Sequence, residues 1–153
     1  MKKITAFILL IALTITALCS CGTAIAETGD VTVVVEAADG EYEVYKTYLE
    51  NVENKKSGAL GVLENLRDRE ENPLHVIYNE SEYGAFITEI GSIKQDESAG
   101  KYVVAYTSVE SDSYLGAPTK SYEDTTLFSS GVGVSAMTVN GGTVILFCLV
   151  TYN

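Results

Sequence analysis

The chain has 153 residues, 46% hydrophobic and 20% charged, with ten lysines and arginines against 21 aspartates and glutamates, for a net charge of −11. So acidic a surface repels phosphate backbones and anionic headgroups, which argues against nucleic-acid binding and against an electrostatic grip on lipid. The length suits one domain with one core, and with one histidine, three cysteines and no tryptophan few side chains carry distinctive chemistry.

Lys2 and Lys3 precede an uncharged apolar run over residues 4–18, too short to span a bilayer comfortably, so residues 1–20 read as a secretory signal peptide. Leu18-Cys19-Ser20-Cys21 has the form of a bacterial lipobox, which would place diacylglycerol on Cys21. Ala24-Ile25-Ala26 is the alternative, an ordinary signal-peptidase site that would release the chain after Ala26. A cysteine directly after a small residue at the end of the apolar run favours the lipobox. Each buried methylene of an acyl chain contributes about 0.8 kcal/mol of membrane affinity, so an acylated Cys21 holds the protein at the outer face of the membrane. The expected location is therefore extracytoplasmic and lipid-anchored, with residues 21–30 as a tether and residues 31–153 as the domain. Removal of two lysines and no acid takes the net charge two units lower, to −13. Cys148 is then the only cysteine in the domain, and its place in the apolar run 144–150 predicts a buried thiol.

The β-branched run 31–37 predicts a strand, Asp39-Gly40 a tight turn, and residues 41–52, with Tyr42, Val44, Tyr45, Tyr48 and Leu49, its hairpin partner. After Ser57, a candidate cap, Ala59, Val62, Leu63 and Leu66 fall on one helical stripe that Leu60 widens, and Asn72-Pro73 is expected to end the helix. A helix with a single apolar stripe needs a sheet to lie on. Residues 74–78 read as a short strand. Residues 83–93 follow, dense in aromatic and branched side chains and punctuated by Gly84 and Gly91, and are expected as a buried, bent segment with Phe86 inside. Residues 101–109 predict a strand with Tyr102, Val104 and Tyr106 on one side and Val103, Ala105, Thr107 and Val109 on the other. The polar insert 110–130 carries Tyr114, Leu115, Pro118, Tyr122 and Phe128 and is expected as a partly ordered flap. Residues 132–139 predict a strand, Asn140-Gly141-Gly142 a turn, and residues 143–150 a strand apolar on both faces, hence central in a sheet.

Hairpin, helix, then further strands ending in a central one is the order of an α+β, β-grasp-like domain with one main helix packed on an antiparallel or mixed sheet. Within that order, Tyr83-Gly84-Ala85-Phe86-Ile87-Thr88-Glu89-Ile90-Gly91, Lys101-Tyr102-Val103-Val104-Ala105-Tyr106 and Gly133-Val134-Ser135-Ala136-Met137-Thr138-Val139-Asn140-Gly141-Gly142-Thr143-Val144 resemble the transcobalamin-like C-terminal domain family of bacterial surface proteins, over nearly all of the mature chain. The resemblance implies a β-grasp-like fold. In the animal cobalamin carriers this domain clamps the corrinoid against a separate helical barrel, so the chain looks like the clamp without the barrel. It departs from the family pattern at Val103, where a tryptophan is usual, at the long insert that replaces a short hairpin, and at Gly141-Gly142 in place of Gly-Asp.

Other constellations read as structure. Gly131-Val132-Gly133-Val134-Ser135-Ala136 has the glycine spacing of a dinucleotide fingerprint but no helix begins on it. His75 has no cysteine or histidine partner for zinc and no nucleophile elbow for a serine triad, and Glu70-Glu71 and Glu123-Asp124 lack the alternating ligands of a calcium loop. The expected roll is thus no catalytic residue, no metal and no cofactor. Tyr83, Phe86, Tyr102, Tyr106, Tyr114 and Phe128 remain as a candidate ligand-binding set if the insert folds over the sheet edge. The reading is a non-enzymatic, membrane-anchored binding module for a small, corrinoid-like molecule, or the accessory domain of an uptake system. The alternative is a cell-surface protein-interaction domain that uses a sheet edge or the insert.

Overall fold

A computed structural model describes residues 25–152. The signal peptide and the acylated Cys21 expected from the sequence lie outside the described residues. The strands are β1 (Asp30–Glu36), β2 (Tyr42–Tyr48), β3 (Val76–Ser81), β4 (Gly84–Ile90), β5 (Ile93–Lys94), β6 (Lys101–Thr107), β7 (Thr119–Tyr122), β8 (Thr125–Ser129) and β9 (Thr143–Thr151), and the helix is α1 (Gly58–Asp68). They form a six-stranded sheet of order β2-β1-β9-β6-β8-β7 and a three-stranded sheet β3-β4-β5. β1 and β9 are parallel and the other neighbours antiparallel, so the architecture is mixed α+β and β-grasp-like, as expected.

Strand alternation sorts the large sheet into two buried faces. Val31, Val33 and Val35 of β1, with Ile145 and Phe147 of β9, join the main core under α1 and the small sheet. Val34, Leu146 and Cys148 point the other way into a second cluster with Tyr106 and Leu127. β9 lies between β1 and β6, the central place its two apolar faces predict. On α1, Ala59, Leu60, Val62, Leu63 and Leu66 are all buried, and each valine or leucine so removed from water stabilises the fold by about 1.5–3 kcal/mol. The hairpin turns at Gly40, φ 86°, with the Glu41 N–H donating to Asp39 Oδ1 at 3.1 Å.

Five expectations are corrected. Residues 25–30 are part of the fold: Ile25 is buried and bridges Val139 in parallel, and the Ala26 N–H donates to the Val139 carbonyl at 2.9 Å. Ser57 makes no side-chain cap, and α1 stops at Asp68, ahead of Asn72-Pro73, because Arg69 is already extended. Residues 83–93 form strand β4 and a turn, with Gly84 and Gly91 at φ 104° and 53° and with a bulge at Thr88, opposite Ile77 and Tyr78, that bends the strand as expected. Alternation along β4 sends Ala85 and Ile87 inward and leaves Phe86 48% exposed. The segment 132–139 is no strand but a 3-10 turn, Val134–Ala136, followed by extended chain. Lastly, the insert holds the β7–β8 hairpin, and it packs on the back of the large sheet, where Leu127 closes over the second cluster. Lys120 of β7 pairs with Glu36 of β1, and the Tyr122 ring meets the Tyr42 ring edge-on at 5.3 Å, so the two ends of the sheet are drawn together.

Candidate functional site

Two strand edges are left without a strand partner on the front side. β8 pairs with β6 only at Tyr106 and Thr107, which frees the outer edge of β6 before them. β5 pairs with β4 only at Glu89 and Ile90, and the Thr88 carbonyl accepts the Gln95 N–H at 2.9 Å, which leaves the edge of β4 before Thr88 without a strand partner. Between these edges lies a cleft of about 250 Å³, walled by Phe86, Ile87, Val103, Tyr114, Val132 and Tyr152 over a floor that includes buried Phe147. None of its lining residues carries a charge, although one residue in five of the chain does. An uncharged concavity with aromatic rims is the usual form of a small-ligand site.

The local chain holds this shape for steric reasons. A Cβ on Gly133 would stand 2.9 Å from the Tyr83 carbonyl oxygen and 3.0 Å from that of Ala85, so only glycine lets this segment press against β4. Two residues on, Ser135 Oγ accepts the Ala85 N–H at 2.9 Å and caps the start of the free edge. The glycine spacing at 131–136 therefore serves a strand edge and leads only into a three-residue 3-10 turn.

Of the six candidate residues, the structure brings Phe86 and Tyr114 to the cleft. Tyr102 does not line it, although its ring lies 5.9 Å from that of the lining residue Tyr152. Tyr106 is buried in the second cluster on the other side of the sheet, where burial, and after it the nearby Cys148, push its phenol pKa up. Tyr83 is exposed on the β3–β4 turn and Phe128 half-buried on β8, and neither lines the cleft. The hairpin of the insert lies behind the sheet, and only the ends of the insert, Tyr114 with Ser129 and Ser130, reach the cleft. Val132 and Tyr152 line the cleft as well, and no local pattern in the sequence singles them out. The only available signal was Val103, where the resemblance calls for tryptophan and where valine lines the cleft.

Elsewhere the polar groups are engaged with one another. His75 Nε2 lies 3.4 Å from Glu89, whose other oxygen takes Lys94 Nζ at 2.6 Å. Those partners, Lys94 foremost, hold the Glu89 carboxyl below its usual range. A depression beside α1 is polar, and its Asn65 is spent on Thr47 at 2.8 Å and on the Asn51 carbonyl at 2.9 Å. Glu70, Glu71, Glu123 and Asp124 are exposed, and among the described residues no group of three or more His, Cys, Asp or Glu is placed to hold a metal ion. Cys148 is a buried free thiol, as expected, with its pKa raised by desolvation.

Comparison with known proteins places this geometry. No family model matches the chain, and no curated protein matches it. Among solved structures, a protein of Ruminococcus gnavus ATCC 29149 described as a candidate metal binding protein superposes with a TM-score of 0.54 at 17% identity, over 82% of this chain and 99% of that one. Haptocorrin, solved in complex with Cbi, superposes with a TM-score of 0.56 at 15% identity, over 82% of this chain and 26% of the haptocorrin chain. What is shared is the fold. The chain thus shares the fold of part of haptocorrin and spans about a quarter of that chain's length.

Proposed function

We propose that the chain is an extracytoplasmic, non-enzymatic binding module, tethered through an acylated Cys21, that takes a neutral small molecule of the corrinoid type in the cleft between β4 and β6. The observation that carries this reading is the uncharged, aromatic-rimmed cleft between two free strand edges. The haptocorrin likeness supports it at the level of fold alone. A single domain covers one face of such a ligand and forgoes much of the desolvation that gives affinity, so binding by this chain alone is weak, about micromolar or poorer.

Titration calorimetry and absorption spectroscopy with cobalamin and cobinamide test the ligand. Heat and a spectral shift that report binding about tenfold weaker in Phe86→Ala support it, and no response at millimolar ligand overturns the corrinoid assignment. In that event the protein-interaction alternative stands in its place. For that alternative the outer edge of β2 is one candidate, met at a single place where Arg69 Nη1 donates to the Lys46 carbonyl at 3.3 Å. Intact-mass and lipid-labelling analysis of membrane-recovered protein tests the anchor, and an unmodified chain beginning at Glu27 overturns it.

A further inference from the structure

The two strand edges that border the cleft differ from ordinary exposed edges, because bonded positions flank a single residue on each whose N–H and C=O are both without a partner among the described residues. In an antiparallel ladder the N–H and C=O of a residue point to the same side, and alternate residues share that side. On β6, Lys101 exchanges both groups with Asp96 at 2.8 Å, and the Ala105 carbonyl accepts the Ser130 N–H at 2.9 Å. These are the groups on the side away from β9. By alternation the N–H and C=O of Val103 point to that same side, into the interval between the two contacts. No hydrogen bond reaches them among the described residues, and Val103 lines the cleft.

β4 repeats the arrangement. The Ala85 N–H bonds to Ser135 on the side away from β3, and the pairing of β3 with β4 is regular from Ser81 opposite Gly84 to Tyr78 opposite Ile87. Ile87 therefore turns its N–H and C=O away from β3 as well, and it too lines the cleft. A donor and an acceptor that point together from one residue are matched by a group presenting an acceptor and a donor side by side. An amide is the commonest such group. The surrounding side chains carry no charge, so a charged ligand would leave its ion unpaired on entry, which costs heavily.

We propose that the cleft selects a neutral ligand through an amide group, which pairs with the free N–H and C=O of Val103, with Ile87 supplying a second donor and acceptor and Phe86, Tyr114 and Tyr152 flanking the apolar remainder. This rests on the reading of the cleft as a ligand site and specifies what the site recognises. The amide belongs either to a short peptide-like molecule or to a carboxamide arm of a larger one; the chemistry is the same.

The test is a titration of isotope-labelled full-length protein, followed through its backbone amide signals, with three probes: N-acetyl-valine N-methylamide, its isostere in which oxygen replaces both N–H groups, and isovaleramide. The expected result is movement of the Val103 and Ile87 amide signals with the two amides, and binding of the isostere about tenfold weaker, since it leaves the carbonyl acceptors of the cleft unpaired. Tighter binding of the valine derivative identifies a peptide-like ligand, and tighter binding of isovaleramide a carboxamide arm; either supports the proposal. Equal affinity for the first probe and its isostere, or signal changes confined to other residues, overturns it. Val103→Pro removes the free N–H and no ladder hydrogen bond, and is expected to abolish the preference for amide over isostere. Should that variant not fold, the wild-type comparison still decides. If cobinamide binds while the amide preference is absent, this inference alone fails; if the amides bind and corrinoids do not, the corrinoid assignment alone fails.

Discussion

Asp112, buried at the start of the insert, takes both polar groups of Thr138, accepting its main-chain N–H at 2.6 Å and its hydroxyl at 3.0 Å. One carboxylate thus fastens the insert to the chain that enters β9, and the Asp112 carbonyl accepts the Gly131 N–H at 2.9 Å on the way. Removal of a buried acceptor leaves its donors unsatisfied at about 1–3 kcal/mol. Asp112→Ala is expected to lower the urea midpoint by that much with an unchanged slope, and Asp112→Asn, which keeps one acceptor, to recover part of it. An unaltered midpoint in the alanine variant would show that the contact contributes nothing to stability.

Phe86 illustrates how a strand residue can matter to binding more than to folding. Truncation of a fully buried phenylalanine costs about 3–5 kcal/mol, but Phe86 is 48% exposed at the cleft rim. Phe86→Ala is expected to cost under about 1.5 kcal/mol in chemical denaturation and to weaken ligand binding about tenfold, as loss of an aromatic anchor does. A large stability loss with unchanged affinity would remove Phe86 from the site.

Stability at alkaline pH has a defined sign. Burial raises the Cys148 thiol and the Tyr106 and Tyr45 phenols, with Cys148 adding to the shift at Tyr106 and Glu43 to that at Tyr45. Groups whose folded pKa lies above the unfolded value hold their protons more tightly in the native state. Their contribution is fully present below the unfolded values, about 8.5 for cysteine and 10 for tyrosine, and is lost as pH rises through the folded ones. The denaturation midpoint is expected to hold from neutral pH to about pH 8 and then to fall, with the first part of the fall absent in Cys148→Ala. The same burial makes Cys148 slow toward a thiol reagent at pH 8 until denaturant is added, and fast labelling of the native protein would contradict it.

Gly133→Ala places a Cβ against two carbonyl oxygens of the β3–β4 region, neither of which can yield as a flexible side chain would. It is expected to destabilise the domain and to move the backbone amide signals of Ala85 and Ile87 beside the cleft. Wild-type stability together with unmoved signals would refute the close packing of this segment.

The sequence by itself determined the α+β class, the first hairpin, the stripe of α1 and the central place of β9, because each of these follows from periodicity along a short stretch of chain. Alternation also told correctly that Tyr102, Val104 and Tyr106 share a side of β6. It could not tell which side would face a cleft and which a second core, and so Tyr106 was grouped with Phe86 although the sheet lies between them. Phe86 was expected inside because phenylalanine is apolar, yet its phase on β4, set by the tight turn between Ser81 and Gly84, turns it outward. The insert's destination depended on a salt bridge to Glu36, 84 residues away in the chain, and on apolar area on the back of the sheet that no local pattern assigns to it. The cleft itself is made of two strand edges, residues 85–87 and 101–105, that belong to different sheets. Only tertiary structure could set the free main chain of Val103 and that of Ile87 beside one space, because which strand ends lack partners is decided by where the neighbouring strands stop.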